Sequence, residues 1–115
     1  MKNAVTTPRR IKRARMQPDE RYNQILDAAI RVAERTGYRS LKREDVAEEA
    51  GVSQGLVSFY FLFIELLRME VLTAAIERGV LPIVAEGLVA GEPVAMQACA
   101  DLKARAAVSL LGGGL

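Results

Sequence analysis

Catalytic chemistry has few candidate residues in this sequence of 115 residues, which contains no histidine and a single cysteine. Ser-His-Asp and Cys-His nucleophile arrangements, HExxH zinc sites and Cys/His zinc clusters are therefore excluded. The candidates that remain are the carboxylate pairs Glu44/Asp45 and Glu48/Glu49, which acid–base catalysis would need inside a pocket. A simpler role for both pairs is to solvate one face of a helix. We therefore expect a protein that is not an enzyme and that needs no metal or cofactor.

Positive charge is concentrated at the N-terminus. The net charge is only +2, but residues 1–15 hold six cations and no acid, and all fourteen acidic residues follow them. The six cations are Lys2, Arg9, Arg10, Lys12, Arg13 and Arg15. A block of like charge is typical of a solvated arm, and such arms often bind nucleic acid. A tail that only improves solubility is the alternative.

Residues 43–60 have the pattern of a helix-turn-helix. Two short helices that cross over a tight turn need a small residue at their contact and a residue that tolerates the turn, and Ala47 and Gly51 meet these needs. Five residues are then expected to point inward: Val46, Ala50, Val52, Val57 and Tyr60. Five others are left facing outward, where a recognition helix meets the major groove of DNA: Gln54, Gly55, Leu56, Ser58 and Phe59. A plain helical hairpin is the alternative.

The elements that would position these residues are all helical. Apolar spacing, proline and acidic residues at helix starts, and glycine at helix ends predict six helices. Their expected ranges are 18–36, 42–50, 53–61, 63–78, 82–90 and 93–111. Strand-like alternation is absent from the sequence. The expected fold class is therefore all-α, with a three-helix head, a long fourth helix and one or two short C-terminal helices.

Several motifs resemble the N-terminal head of TetR-type transcriptional regulators. They are Ile25-Leu-Asp-Ala-Ala, Gly37-Tyr38 and Asp45-Val-Ala-Glu-Glu-Ala-Gly-Val-Ser-Gln-Gly-Leu-Val-Ser-Phe-Tyr-Phe. The resemblance covers about residues 20–75, and the Ala-Gly-Val-Ser-x-Gly turn is its most specific part. It implies a DNA-binding head that acts as a dimer on a palindromic operator, commonly as a repressor. Residues 100–106 resemble the ends of compact, single-domain members carried by prophages, so the chain is expected to be complete.

The resemblance also implies roles for individual residues. Base contacts are expected from Gln54 to adenine, from Leu56 to a thymine methyl group and from Arg43 to guanine. Phosphate contacts are expected from Lys42, Ser53, Gly55, Ser58 and Tyr60. The family often has Thr at the position of Leu56 and Tyr at the position of Ser58. For Lys42 and Arg43, a solvated surface pair is the alternative.

The sequence departs from the family pattern after the recognition helix. Leu62, Phe63 and Ile64 stand where a polar residue and a lysine usually begin the fourth helix, so phosphate contacts from that helix are not expected. No N-cap is evident there. The apolar run Phe59–Ile64 is explained only by burial at a helix junction or at an interface. Fewer than forty residues follow the fourth helix, which leaves little room to enclose an inducer cavity of about 300 Å³.

Three segments are expected: a basic arm over 1–17, the helix-turn-helix domain over 18–79, and a C-terminal helical extension over 80–115. Homodimer contacts are expected from the extension, around Leu81, Val84, Leu88, Leu102 and Leu110. The sequence has no signal peptide, and its longest apolar run is too short to span a membrane, so we expect a cytoplasmic protein. An alternative function is a protein-interaction module of the same fold that modulates another regulator without reading DNA.

Overall fold

The computed structural model describes residues 18–112, and this range consists of helices joined by short turns, without a strand. Its elements are α1 (Pro18–Thr36), a 3-10 turn (Tyr38–Ser40), α2 (Arg43–Ala50), α3 (Gln54–Tyr60), α4 (Ile64–Arg78), α5 (Leu81–Ala90), α6 (Pro93–Met96) and α7 (Ala100–Gly112). The predicted all-α class is confirmed. The basic arm lies outside the described residues. Among the helices described, none combines the length and apolar character that crossing a membrane requires.

The first helix follows the local signals of its sequence. Asp19 and Glu20 occupy its first turn, where negative charge is favourable next to the positive end of the helix dipole. Gly37 ends the helix with a φ of 96°, a conformation that a residue with a side chain rarely adopts. The Gly37 N–H donates to the Ala33 carbonyl at 2.8 Å. The predicted end of α1 before Gly37 is therefore confirmed.

A single hydrophobic core runs from the helix-turn-helix into the C-terminal helices. It joins buried residues of α1 and α4, such as Ile25 and Leu72, to Val84 of α5 and Leu102 of α7. Val84 and Leu102 are 0% and 5% exposed. The expectation that these two residues contact a second subunit is therefore wrong, because the chain buries them against itself. Leu81 and Leu88 are half-buried, and Leu110 is exposed.

The last predicted helix is in fact two helices. A single helix over 93–111 was expected, but the chain leaves helical geometry between Met96 and Ala100. The break allows Ala95 and Ala106 to be fully buried from two separate short helices. The Lys103 ammonium group donates to the carbonyl of Met96 at 3.0 Å and holds the corner. Local sequence holds no proline or glycine at this corner, so packing between distant residues determines it.

One carboxylate ties the C-terminal helices to the head. Glu86 of α5 accepts hydrogen bonds from the backbone N–H groups of Tyr38, at 2.8 Å, and Arg39, at 3.3 Å. These groups open the 3-10 turn and have no partner within it, as is usual at the start of a helix. The neighbouring Gly87 lets α5 approach closely, since a Cβ there would lie 2.8 Å from Leu72 Cδ1. The turn before α2 is thus held by α5.

Replacing Glu86 tests this connection. The change Glu86→Ala leaves two backbone donors without an acceptor, and we expect it to lower the free energy of unfolding by about 1–3 kcal/mol. Urea denaturation followed by circular dichroism measures the change. Glu77→Ala, on an exposed position of α4, is the matched control and should cost less than about 0.5 kcal/mol. Equal losses in the two variants would show that Glu86 does not stabilise the turn.

Candidate nucleic-acid interface

A tight turn sets α3 across α2. Gly51 ends α2 in the left-handed conformation, with φ 73° and ψ 34°. The Val52 N–H then donates back to the backbone carbonyl of Ala47 at 3.0 Å, and the Gly51 N–H donates to the backbone carbonyl of Glu48 at 3.3 Å. This pair of bonds satisfies carbonyls that the end of a helix leaves free. The predicted break at Gly51 is confirmed.

The start of α3 is capped by Ser53, as predicted. Its hydroxyl oxygen accepts a hydrogen bond from the Leu56 N–H at 3.0 Å, and its backbone is extended, with φ −76° and ψ 157°. One turn further along the helix, Val57 is 0% exposed. The cap fixes where α3 begins, and the buried valine fixes its rotation about its own axis.

The first helix braces α2 through polar contacts. The Gln24 amide donates to the last carbonyl of α2, that of Ala50, at 3.0 Å. Arg31 and Arg35 form ion pairs with Glu49 at 2.8 and 2.9 Å. Hydrogen bonds from Arg31, and then from Arg35, hold the pKa of Glu49 below its ordinary value. Glu49 therefore joins two helices and does not merely solvate one.

The other carboxylates show no arrangement that indicates catalysis. Asp45 and Glu48 line a cleft of about 480 Å³ between α1 and α2, together with Arg35 and Glu49. The cleft is shallow, and the arginine ion pairs already offset its negative charge. Between residues 18 and 112, no group of three or more potential metal ligands is found. The cleft fits a structural role for these residues.

The outward face of α3 is built largely as predicted. Gln54 and Gly55 are exposed on its first turn, and the cap residue Ser53 is exposed beside them. One turn later, Phe59 is 78% exposed and Ser58 is half-buried. Residues four apart share a face of a helix, so these side chains form one surface. We name the surface formed by Gln54, Gly55, Ser58 and Phe59 the reading face.

Two of the expected DNA contacts turn partly away from this surface. Leu56 and Tyr60 are half-buried and pack against the hydrophobic core. The ring of Tyr60 also meets the ring of Phe59 edge-on, with centroids 5.1 Å apart. Leu56 consequently offers less apolar surface to a groove than its position in the sequence suggests, and Phe59 offers more. Sequence reasoning placed Phe59 outward but assigned it no role.

The two cations at the start of α2 are used differently. Arg43 is half-buried, and its guanidinium donates to the Leu62 carbonyl at 2.8 Å. It holds the junction between α3 and α4, so a guanine contact would require this bond to break. Lys42 is exposed.

The apolar run Phe59–Ile64 is only partly buried. Phe61 is 3% exposed, and its ring packs on Tyr22 with centroids 4.9 Å apart. Burial, reinforced by the charge and hydrogen bond of Glu70, raises the pKa of Tyr22. Leu62 and Phe63 remain 67% and 58% exposed. Phe63 occupies the capping position before α4 and makes no side-chain cap hydrogen bond, as the sequence indicates. Burial at the junction therefore explains Phe61 but not its two neighbours.

Comparison with known proteins agrees with this geometry. Residues 25–62 match the family model of the bacterial regulatory proteins of the tetR family. The match runs from the buried face of α1, through the turn at Gly51, to the end of α3. No curated protein and no solved structure matches the chain. Residues 25–62 are therefore similar to the helix-turn-helix region of the bacterial regulatory proteins of the tetR family.

Proposed function

We propose that the protein is a sequence-specific repressor that binds a palindromic operator as a homodimer and occludes a promoter. The observation that carries the proposal is the reading face, which is exposed on a helix whose opposite side is buried. A helix presented in this way fits the major groove of DNA. In a dimer, two such helices would meet half-sites about 10 base pairs apart or a multiple of that distance.

Gln54 is the proposed reader of a base. Its side chain is exposed on the first turn of α3, the part of a recognition helix that contacts base edges. A glutamine amide can donate from its NH2 group to N7 of adenine and accept, through its oxygen, from the N6 amino group. Lys42, Ser53, Ser58 and Tyr60 are the proposed phosphate contacts. These contacts would position α3 without reading sequence.

Gly55 supports the proposal because the protein itself does not require a glycine there. A Cβ on Gly55 would meet only the Ser53 hydroxyl oxygen, at 3.8 Å, and its φ is not in the left-handed region. Neither packing nor backbone conformation therefore selects glycine. A close approach of the DNA backbone to α3 would select it.

Positive charge for this complex would come largely from the basic arm. Lys42 is an exposed cation at the start of α2, whereas Arg43 is engaged with Leu62. The chain after residue 15 carries fourteen acidic and ten of the sixteen basic residues. Attraction to a polyanion consequently needs the cations at Arg9, Arg10, Lys12, Arg13 and Arg15. We propose that the arm follows the DNA backbone or enters the minor groove.

The homodimer is proposed to form through α7. The second half of this helix is apolar except for Ser109, and an apolar helix surface is normally buried. Val108 and Leu111 are 66% and 76% exposed, and Val108 borders an apolar groove of about 340 Å³ with Leu81 and Ala104. The same helix of a second copy would fill the groove in a two-fold arrangement. We propose no small-molecule inducer, because the groove is assigned to a second copy of the chain.

The change Gly55→Ala should affect folding and binding in opposite directions. Alanine favours a helix over glycine by up to about 1 kcal/mol, so the free energy of unfolding should be unchanged or higher. Affinity for duplex DNA should fall roughly tenfold, the value of one lost charge-assisted hydrogen bond. Denaturation and fluorescence anisotropy measure the two effects. An alanine variant that binds DNA as tightly as the wild type would contradict a close approach at Gly55.

The change Gln54→Ala should remove sequence preference at one position of each half-site. The operator is first identified by selecting bound sequences from a random duplex pool with the wild-type protein, and it should contain an inverted repeat. The variant should lose about 1–3 kcal/mol of binding free energy on this site, and much less on sites altered at that position. Gln97→Ala, which removes an exposed amide between α6 and α7, is the control. An equal loss on all sequences would show that Gln54 does not read a base.

The change Val108→Asp should dissociate the homodimer. An unpaired charge inside an apolar contact is strongly unfavourable, so the dissociation constant of the dimer should rise at least about tenfold. Sedimentation velocity over a concentration series measures it. Val89→Asp is the matched control, since Val89 is 68% exposed near the far end of α5. If the two variants associate as the wild type does, α7 is not the interface.

A protein-interaction module that does not read DNA is the second candidate. The observation in its favour is the exposed apolar surface beyond α3, where Leu62, Phe63 and Leu66 are 67%, 58% and 52% exposed. Exposed apolar patches often mark contacts between proteins. This patch lies at the junction of α3 and α4, where a DNA-binding protein would use polar contacts to phosphates. Such a module would show no salt-dependent association with duplex DNA, whereas the repressor proposed above would.

A further inference from the structure

Phe59 is the most exposed large apolar side chain in the described range, at 78%, although it lies on a helix whose other apolar residues face inward. Val57, two positions earlier, is 0% exposed. Because two residues turn an α-helix by about 200°, the burial of Val57 directs Phe59 away from the core. The exposure of Phe59 therefore follows from how α3 is anchored.

The Phe59 ring lies on a helix whose start is fixed by a cap, and the ring itself is exposed. Ser53 caps the helix, and the Tyr60 ring supports the Phe59 ring edge-on at 5.1 Å. Gly55 lies one turn earlier on the same face and adds no side chain that would shield the ring. An aromatic ring also loses little conformational freedom when it makes a contact. Phe59 is thus placed to contact whatever the reading face meets.

The chemistry of a phenylalanine ring limits what that contact can be. The ring has no hydrogen-bond donor for a phosphate and no acceptor for a base amino group. The apolar feature of the major groove is the C5-methyl group of thymine, and Phe is among the residues that contact it. Leu56, the expected methyl contact, is half-buried against the core. Among the apolar residues of α3, Phe59 has the exposed surface that this contact requires.

We propose that Phe59 is a specificity-determining residue that recognises the C5-methyl group of a thymine in each half-site. The inference rests on the proposed function, since it requires α3 to lie in the major groove. It goes further by assigning to this chain a preference for thymine that depends on an apolar contact and not on a hydrogen bond. The exposed Phe63 lies beyond α3, outside the reading face, and takes no part in it.

Replacing thymine by 2′-deoxyuridine tests the inference, because uracil pairs like thymine and lacks only the methyl group. The probe is the duplex that the wild-type protein selects from a random pool, with each thymine replaced in turn. At one position in each half-site, the wild type should bind the uracil duplex about fourfold more weakly for each methyl group lost. Phe59→Ala should bind the thymine and uracil duplexes equally. Fluorescence anisotropy at one fixed salt concentration gives both ratios.

Phe63→Ala is the matched control, since it removes a second exposed phenylalanine and should keep the thymine preference of the wild type. Circular dichroism should show that both variants fold, because truncation of an exposed side chain changes stability little. A thymine preference that survives in Phe59→Ala, or its absence from the wild type, would overturn the inference while duplex binding still supports the proposed function. Failure of the wild type to bind any duplex would overturn both and favour a protein partner for this surface.

Discussion

The burial of Val57 is the constraint on which the reading face depends. α3 has seven residues, too few to be stable as a helix in isolation, so its orientation is set by what it packs against. With Val57 fully buried and the start of the helix capped by Ser53, one rotation of α3 is compatible with the core. Gln54, Gly55 and Phe59 are exposed as a consequence of that rotation.

The elements around α3 keep this arrangement in place. Gln24 of α1 caps the end of α2, Arg43 of α2 binds the junction that follows α3, and the ring of Tyr22 packs on Phe61 in that junction. Glu86 adds a contact from α5 to the turn before α2. The C-terminal helices therefore support the head as well as carrying the apolar surface of α7. In the proposed homodimer, this shared core would hold the two copies of α3 at a fixed spacing.

Much of the fold could be predicted because its signals are local. Helix ends are marked by glycines in backbone conformations that glycine adopts readily, namely Gly37, Gly51 and Gly91. A helix start is marked by Ser53 through its own side chain. Contacts between residues far apart in sequence could not be predicted in this way. Composition gives no indication that Arg43 binds the Leu62 carbonyl, or that a corner divides α6 from α7.

The same distinction applies to the candidate site. The exposed position of Gln54 follows from helical spacing around the turn, whereas the half-burial of Leu56 depends on the width of the core beneath α3. Similarly, Val84 and Leu102 have the apolar character expected of an interface, and only the packing of α5 on α7 shows that they are internal. The whole fold determines which apolar residues remain exposed. The exposure of Phe59 supports the proposed thymine contact, and the exposure of the apolar residues of α7 supports the proposed dimer contact.

We propose that the helix-turn-helix and the basic arm together bind double-stranded DNA. The most direct test is the affinity of the full chain for a labelled duplex between about 50 and 200 mM salt. We expect measurable binding at the lowest salt concentration and a logarithm of affinity that falls linearly with the logarithm of salt concentration, with a slope near −0.9 for each phosphate contacted. An absence of binding at about 50 mM salt, where even non-specific DNA-binding proteins associate, would contradict it.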